Sequence, residues 1–322
     1  MKKRTLLSLA LSICFFSLFS TSVVAADVPV LKDYAKQRAL SITLGRFGDI
    51  SKVKARINGQ YIGKRNSSAI LNRISSKCVV IMDGDTGKII YAKSPDTPRQ
   101  PASTIKVLTG MIAIKSLTEE EPVEVSRYAS SMPRSKVYLK TRKKYRAEDL
   151  INAVLLASAN DASVALAEKI AGSEKRFAKM MNLRARLWGA SQTVCQTATG
   201  LTAKGQQSTA RDLAVIFRHA MQEREFVERM SKVTVKTSYG KVLRNHNKAL
   251  WKLEGAIAGK TGFTRAAGQT YVGKFTRGGE SIIVAVMGSD TMWDDIENLV
   301  EYGFNRQAVK LLSDSGKSVL RL

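Results

Sequence analysis

Two histidines and three cysteines are all that 322 residues offer for metal ligation or imidazole chemistry. A multi-histidine metal centre is therefore not expected, and a serine-histidine-acid triad is hard to assemble. His219 falls inside a helix-period stretch and His246 in a polar turn, "LRNHNKAL", so each reads as structural or exposed. Beyond the N-terminal apolar run only Cys78 and Cys195 remain, each in an apolar strand-like context where a buried free thiol is the common outcome. There is no Cys-x-x-Cys. An oxidising compartment would permit a bridge between the two, and the sequence leaves open whether they are close. Acids are scarce as well: 27 Asp and Glu face 52 Lys and Arg, a net charge of +25. After Phe19 no apolar run reaches the roughly 20 residues that a membrane-spanning helix takes.

What is present begins with an export signal. Lys2, Lys3 and Arg4 precede an apolar stretch from Leu6 to Phe19, and Val24-Ala25-Ala26 places small side chains before Asp27. Cys14 lies mid-run after Ile13, where a lipoprotein site wants a small residue, so residues 1–26 read as a cleavable leader. The expected location is periplasmic or extracellular. There, excess positive charge reads either as a match for anionic lipid headgroups or acidic wall polymers, rather than nucleic acid, or as serving solubility and non-specific adhesion alone.

Residues 27–76 are basic and weakly patterned, with one helix expected near Val30–Leu40. "KCVVIMDGDTGKIIYAKSP" predicts two strands, Cys78–Asp83 and Ile89–Ala92, about a turn in which Gly84 and Gly87 supply unusual dihedrals. Helix-period apolar positions follow Pro101 at Ile105, Leu108, Ile112 and Leu117. Further helices are expected over "AEDLINAVLL", Ala162–Ile170, Glu174–Trp188 and, capped by Ser208 or Thr209, Ala210–Gln222. From Lys232 the period changes to two, in "KVTVKTSY", "QTYVGKF" and "SIIVAVMGS", before a last amphipathic helix over Trp293–Phe304. Strands, a long helical block, strands, then a helix predict an α/β (α+β) fold. Its antiparallel sheet is built from both ends of the chain, with a helical subdomain inserted over about 118–222.

Three short motifs carry the chemistry. Ser103-x-x-Lys106 opens the first helix, Ser158-Ala159-Asn160 sits between two helices, and Lys260-Thr261-Gly262 lies at the edge of a strand segment. The Ser-x-x-Lys pattern recurs at Ser51/Lys54 and Ser238/Lys241; the other two occur once each. A serine hydroxyl needs a partner to take its proton, and Lys106, one helical turn away, can approach it. A protonated lysine is no base. A second cation held nearby, Lys260, opposes the charge and lowers the pKa. Ser158 and Asn160 on a turn can relay a proton and hydrogen-bond a substrate amide, and Thr261 with Lys260 can bind a carboxylate. Gly262 lets a backbone pass close. Backbone N–H groups by Ser103 and just after Gly262 would form an oxyanion hole worth roughly 3–4 kcal/mol per donor. Asp161 reads as a helix cap, Phe263 and Tyr271 side chains as packing. The eight Lys and Arg from Arg127 to Arg146 read either as a polyanion site or as a solvated loop.

This ordered trio resembles the penicillin-recognising serine enzymes. With "VVIMDGDTGKIIYAKSPDTPRQPASTIK", "LLASANDASVALAE", "ATGLTAKGQQSTARDLA" and "GKTGFTRAAG", it resembles the low-molecular-mass D-alanyl-D-alanine carboxypeptidases and endopeptidases over about Lys77–Phe304. The resemblance implies Ser103 as acylated nucleophile, Lys106 as general base, and Ser158 and Asn160 as second-motif residues. It implies Lys260, Thr261 and Gly262 as the strand motif, continued by Phe263 and Thr264, with the N–H groups of Ser103 and Phe263 as oxyanion donors. Peptidoglycan stem peptides are then the substrate and β-lactams covalent inhibitors, with no metal or cofactor, no nucleic acid, and an anionic wall or membrane surface as a further partner. The chain departs from the pattern in three places. No Glu-x-x-Leu-Asn follows the second motif, which argues for a peptidase over the class A β-lactamase alternative. Arg265 stands where an acidic or neutral residue is usual. The chain stops soon after its last expected helix, a plan that leans towards endopeptidase-like members. The expected domains are the leader 1–26, the extension 27–76, a catalytic domain 77–306 and a tail 307–322. A non-catalytic wall-polyanion binder is the alternative from another class.

Overall fold

The computed structural model describes residues 70–314. The leader 1–26, the helix expected near Val30–Leu40 and the Ser51/Lys54 pair lie outside the described residues.

In chain order the elements are β1 (Cys78–Asp83), β2 (Ile89–Lys93), a 3-10 turn (Ala102–Ile105), α1 (Lys106–Ser116), β3 (Pro122–Glu124) and α2 (Arg127–Ser131). Then come β4 (Lys144–Arg146), α3 (Ala147–Leu155), α4 (Asn160–Ala171), α5 (Glu174–Leu187), α6 (Ala210–Ala220) and α7 (Arg224–Met230). The chain closes with β5 (Thr234–Lys236), β6 (Val242–Arg244), α8 (Ala249–Lys252), β7 (Ala256–Thr264), β8 (Gly268–Arg277), β9 (Glu280–Ser289) and α9 (Met292–Asp314). Five strands form one antiparallel sheet in the order β2-β1-β9-β8-β7, so the first two strands join the last three.

Strand alternation shows why this sheet is buried on both faces. Val80, Met82, Ile283, Ala285 and Met287 enter the large core shared with the helical layer. Val79, Ile81, Ile282, Val284 and Val286 point the other way, onto Ile296, Leu299, Val300 and Phe304 of α9. A one-residue slip of β1 on β9 would exchange the two sets, so burial on each side fixes the register. On the helical side α1 runs through the centre, buried from Lys106 to Ile114. An enclosed helix needs no polar stripe, which is why "KVLTGMIAI" is apolar nearly all round.

Several expectations shift. "KVTVKTSY" does not join the main sheet; β5 and β6 form a separate two-stranded hairpin, because period two reports alternating exposure and not the pairing partner. In the β1–β2 turn only Gly87 takes a left-handed φ, +76°, while Gly84 is small because the Ser281 side chain crowds it. The fold reaches back before residue 77: the Ser75 and Ser76 backbone N–H groups donate to the Asp295 carboxylate at 2.9 and 2.8 Å. It also extends past 306, since α9 continues to Asp314. Cys78 and Cys195 are both free and buried, and burial pushes the Cys195 thiol up to about 12.

Candidate active site

The sequence around Ser103 makes a 3-10 turn before the α-helix begins. Pro101 precedes it, its carbonyl taking the Thr104 hydroxyl at 2.6 Å and the Thr270 hydroxyl at 3.1 Å. A 3-10 turn eclipses side chains three apart, so Ser103 and Lys106 share one face more closely than an α-turn would give. Ser103 stays half-exposed while Lys106 is buried. Ala102, just before the serine, is held at φ +50°, a left-handed value that costs a non-glycine residue on the order of 1 kcal/mol or more.

Lys106 Nζ contacts three oxygens: Ser103 Oγ at 2.9 Å, Asn160 Oδ1 at 2.8 Å and the Thr199 carbonyl at 2.6 Å. An ammonium would donate to all three. A neutral amine has two N–H bonds, enough for the amide and carbonyl oxygens, and its lone pair then faces Ser103 Oγ. Burial favours the neutral form and holds the Lys106 pKa well below the lysine range; the Lys260 charge pushes the same way, against the milder pull of Glu174 and Asp161. Lys260 is buried too, and desolvation brings it down to about 7.

Lys260 Nζ donates to Ser158 Oγ at 2.9 Å and to the Thr261 carbonyl at 3.1 Å. Ser158 thereby accepts a bond and keeps its own proton to give. Ser158 sits between α3 and α4 with φ +57°, the second left-handed non-glycine at the site. Asn160 Nδ2 reaches the Pro133 and Arg134 carbonyls at 3.0 and 3.1 Å, so one amide joins Lys106 to the 132–143 segment. Asp161 is not the simple helix cap expected. Its buried carboxylate accepts the Val137 N–H at 3.1 Å on both oxygens and the Leu139 N–H at 3.0 Å, pinning that segment over the start of α4.

β7 is the sheet's edge strand, and the 3-10 turn lies against it. A methyl on Gly262 would stand 2.7 Å from the Ser103 nitrogen and 3.0 Å from the Thr104 nitrogen. Backbone atoms cannot swing aside. Gly262→Ala should therefore slow acylation of Ser103 about 10²-fold, the cost of an on-the-order-of-1-Å misplacement, as read by stopped-flow with a chromogenic β-lactam. An unchanged rate would mean that the strand and the turn part freely. Beyond it, Phe263 is 65% exposed rather than packed, and Thr264 Oγ1 accepts from Thr202 at 3.1 Å. Arg265 is exposed in the β7–β8 turn, and Tyr271 is buried as expected, its hydroxyl on Asn247 Oδ1 at 3.3 Å.

The structure thus brings Ser103, Lys106, Ser158, Asn160, Lys260 and Gly262 together. Ser238 and Lys241 lie apart, in the β5–β6 turn, with Ser238 bonded to Asp149. His219 stacks on Trp188, centroids 5.4 Å apart at 10°, a structural role. His246 was not read as part of the site, yet it lies near both lysines: desolvation, then the charges of Lys260 and Lys106, hold its imidazole down to about 4, so it is neutral at pH 7. Thr199 was also missed. It acts through a carbonyl that any residue type supplies, so the side chain gave no signal.

An antiparallel sheet packed on a helical layer, with this serine and one buried lysine at the start of a helix and a second buried lysine on the edge strand, has the β-lactamase-like fold of the penicillin-binding proteins. The model of the D-alanyl-D-alanine carboxypeptidase family, peptidase S11, matches residues 64–291, and the chain belongs to that family. It is 34% identical over 236 residues to D-alanyl-D-alanine carboxypeptidase DacB2 of Mycobacterium tuberculosis, covering 70% of this chain and 81% of that one. To DacC of Escherichia coli it is 31% identical over 250 residues, covering 72% and 62%. Among solved structures, a D-alanyl-D-alanine carboxypeptidase from M. tuberculosis superposes with TM-score 0.68 at 30% identity, covering 76% of this chain and 94% of that one. Ampicillin-bound penicillin-binding protein D2 from Listeria monocytogenes superposes with TM-score 0.66 at 30% identity, covering 72% and 98%.

Proposed function

We propose that the mature chain is an exported serine DD-peptidase that cleaves D-alanyl-D-alanine bonds, or D-alanyl crosslinks, of peptidoglycan stem peptides. The observation that carries this reading is the 2.9 Å contact between Ser103 Oγ and a buried lysine whose two other contacts use up the N–H bonds of a neutral amine. Lys106 takes the serine proton as Oγ attacks the D-alanyl carbonyl. The oxyanion forms against the N–H groups of Ser103 and Phe263. Ser158 passes a proton to the leaving amine, replenished through its contact with Lys260. Lys260, Thr261 and Thr264 hold the substrate carboxylate along β7, and Asn160 holds the peptide amide. Water then releases the acyl group. β-Lactams acylate the same serine and leave slowly. Residues 1–26 act as the leader, and among the described residues no helix is long and apolar enough to cross a membrane.

Incubation with benzylpenicillin followed by intact-mass measurement and peptide mapping tests the reading. One persistent adduct on the Ser103 peptide is expected. Intact penicillin with no adduct would refute the enzyme, and consumed penicillin with no adduct would make it a β-lactamase.

The acylation rate should also follow the lysines. As pH falls, protonation charges the buried amines and removes the base, so the rate declines. The inflection should lie well below the ordinary lysine range, because burial and the neighbouring Lys260 charge favour the neutral Lys106 amine. A second-order acylation profile still rising above pH 9 would contradict Lys106 as a buried base of lowered pKa.

A further inference from the structure

The 132–143 segment and the β5–β6 hairpin meet beside the cleft. Lys241 Nζ donates to the Val137 carbonyl at 2.7 Å. Lys241 and Lys136 both stand over the Tyr138 ring, 5.2 and 5.5 Å from its centroid. Tyr138 is itself 57% exposed. Arg134, Lys140 and Arg142 on the segment and Arg244 on the hairpin are exposed as well, and Arg244 lies over the Trp251 ring at 5.3 Å. Among the described residues, none of these six cations is within ion-pair distance of an acid. Acids are used nearby: Arg146 pairs with Glu120 and Glu148, and Arg229 with Glu119 and Glu225.

A solvated loop accounts for the exposure of these charges and not for their fixed placement. The segment is held by Asn160 and Asp161 on one side and by Lys241 on the other. Gathering unpaired like charges on a fixed surface costs self-repulsion, which an anionic ligand relieves. The surface begins one side chain from the nucleophile's base, because Asn160 touches both Lys106 and the Arg134 carbonyl. A substrate strand seated in the cleft therefore has this surface within reach of its continuation. A continuation bearing further carboxylates meets the unpaired cations there, and Tyr138 and Trp251 offer it amphipathic faces.

We propose that the 132–143 segment and the β5–β6 hairpin form a shelf for the carboxylates of a polymeric, multiply carboxylated peptide substrate, so that the enzyme prefers intact wall polymer to short peptides. This rests on the DD-peptidase reading of the adjoining site. The test compares the native chain with a triple variant, Lys140→Gln, Arg142→Gln and Arg244→Gln, on insoluble peptidoglycan, on a short peptide ending in D-alanyl-D-alanine with its other carboxylates blocked, and on benzylpenicillin. At low salt the variant should lose about tenfold or more in kcat/KM on the polymer, and nothing on the short peptide or in penicillin acylation. Poly-glutamate should inhibit polymer hydrolysis by the native chain and not by the variant. Equal loss on all three substrates, or no loss on the polymer, would overturn the shelf. Inhibition by inorganic polyphosphate alone would reassign it to phosphate polymers. A native chain that penicillin fails to acylate would strike the peptidase reading instead, a separate outcome.

Discussion

Lys106→Ala should acylate with benzylpenicillin about 10²–10⁴-fold more slowly than the native chain, the range for loss of a positioned general base. Lys106→Arg should be nearly as slow. Arginine keeps a charge and several donors, yet its guanidinium stays protonated and offers no lone pair. That comparison separates a base from a hydrogen-bond donor, because a donor's role would survive in arginine. The alanine variant vacates a buried amine site beside Ser103 Oγ and the oxygens of Asn160 and Thr199. A small primary amine added to the buffer should restore part of its rate, with a pH dependence set by the amine. Thermal melting alongside the kinetics distinguishes a lost base from a lost fold. A Lys106→Arg chain that acylates within a few-fold of native would remove lysine from the role of base.

The second large effect falls on stability. Asp161→Ala strips the acceptor from the buried N–H groups of Val137 and Leu139. Each orphaned donor costs about 1–3 kcal/mol, so the variant should lose on the order of 2–6 kcal/mol, a large fraction of a typical domain's net stability. Denaturant unfolding followed by tryptophan fluorescence reads it. Activity should fall too, since Asn160, next in sequence, leans on the same segment through the Pro133 and Arg134 carbonyls. Asp161→Asn retains one acceptor oxygen and should lie between the two. A loss below about 1 kcal/mol in the alanine variant would mean that solvent or a neighbour takes up the freed donors.

These two residues also mark the limit of what the sequence made legible. Ser103 and Lys106 could be read because the chemistry lives in their side chains and a single turn brings them together. The hairpin of β1 and β2 was legible because its alternation and turn are local. Asp161 was misread because its partners lie 24 and 22 residues back, and a carboxylate at a helix start resembles a cap until those N–H groups are placed. β7 was visible only as a motif, since "AIAGKTGFT" carries two glycines and weak strand preference. What makes it a strand is pairing along β8. Phe263 shows the converse: apolar character suggested packing, and the strand's edge position left it in solvent.

Ala102 and Ser158 give the molecule a built-in conflict. Both hold left-handed backbone angles that glycine would adopt freely; Ala102 directly precedes the nucleophile, and Ser158 is itself the second serine that the chemistry uses. Selection for heat resistance alone would drift towards glycine at these positions, gaining comfort in the folded chain and loosening the fit of Ser103 or deleting the hydroxyl of Ser158. Robust descendants of this protein would therefore have to find their extra stability elsewhere, in the sheet and α9, and leave these two uncomfortable residues alone.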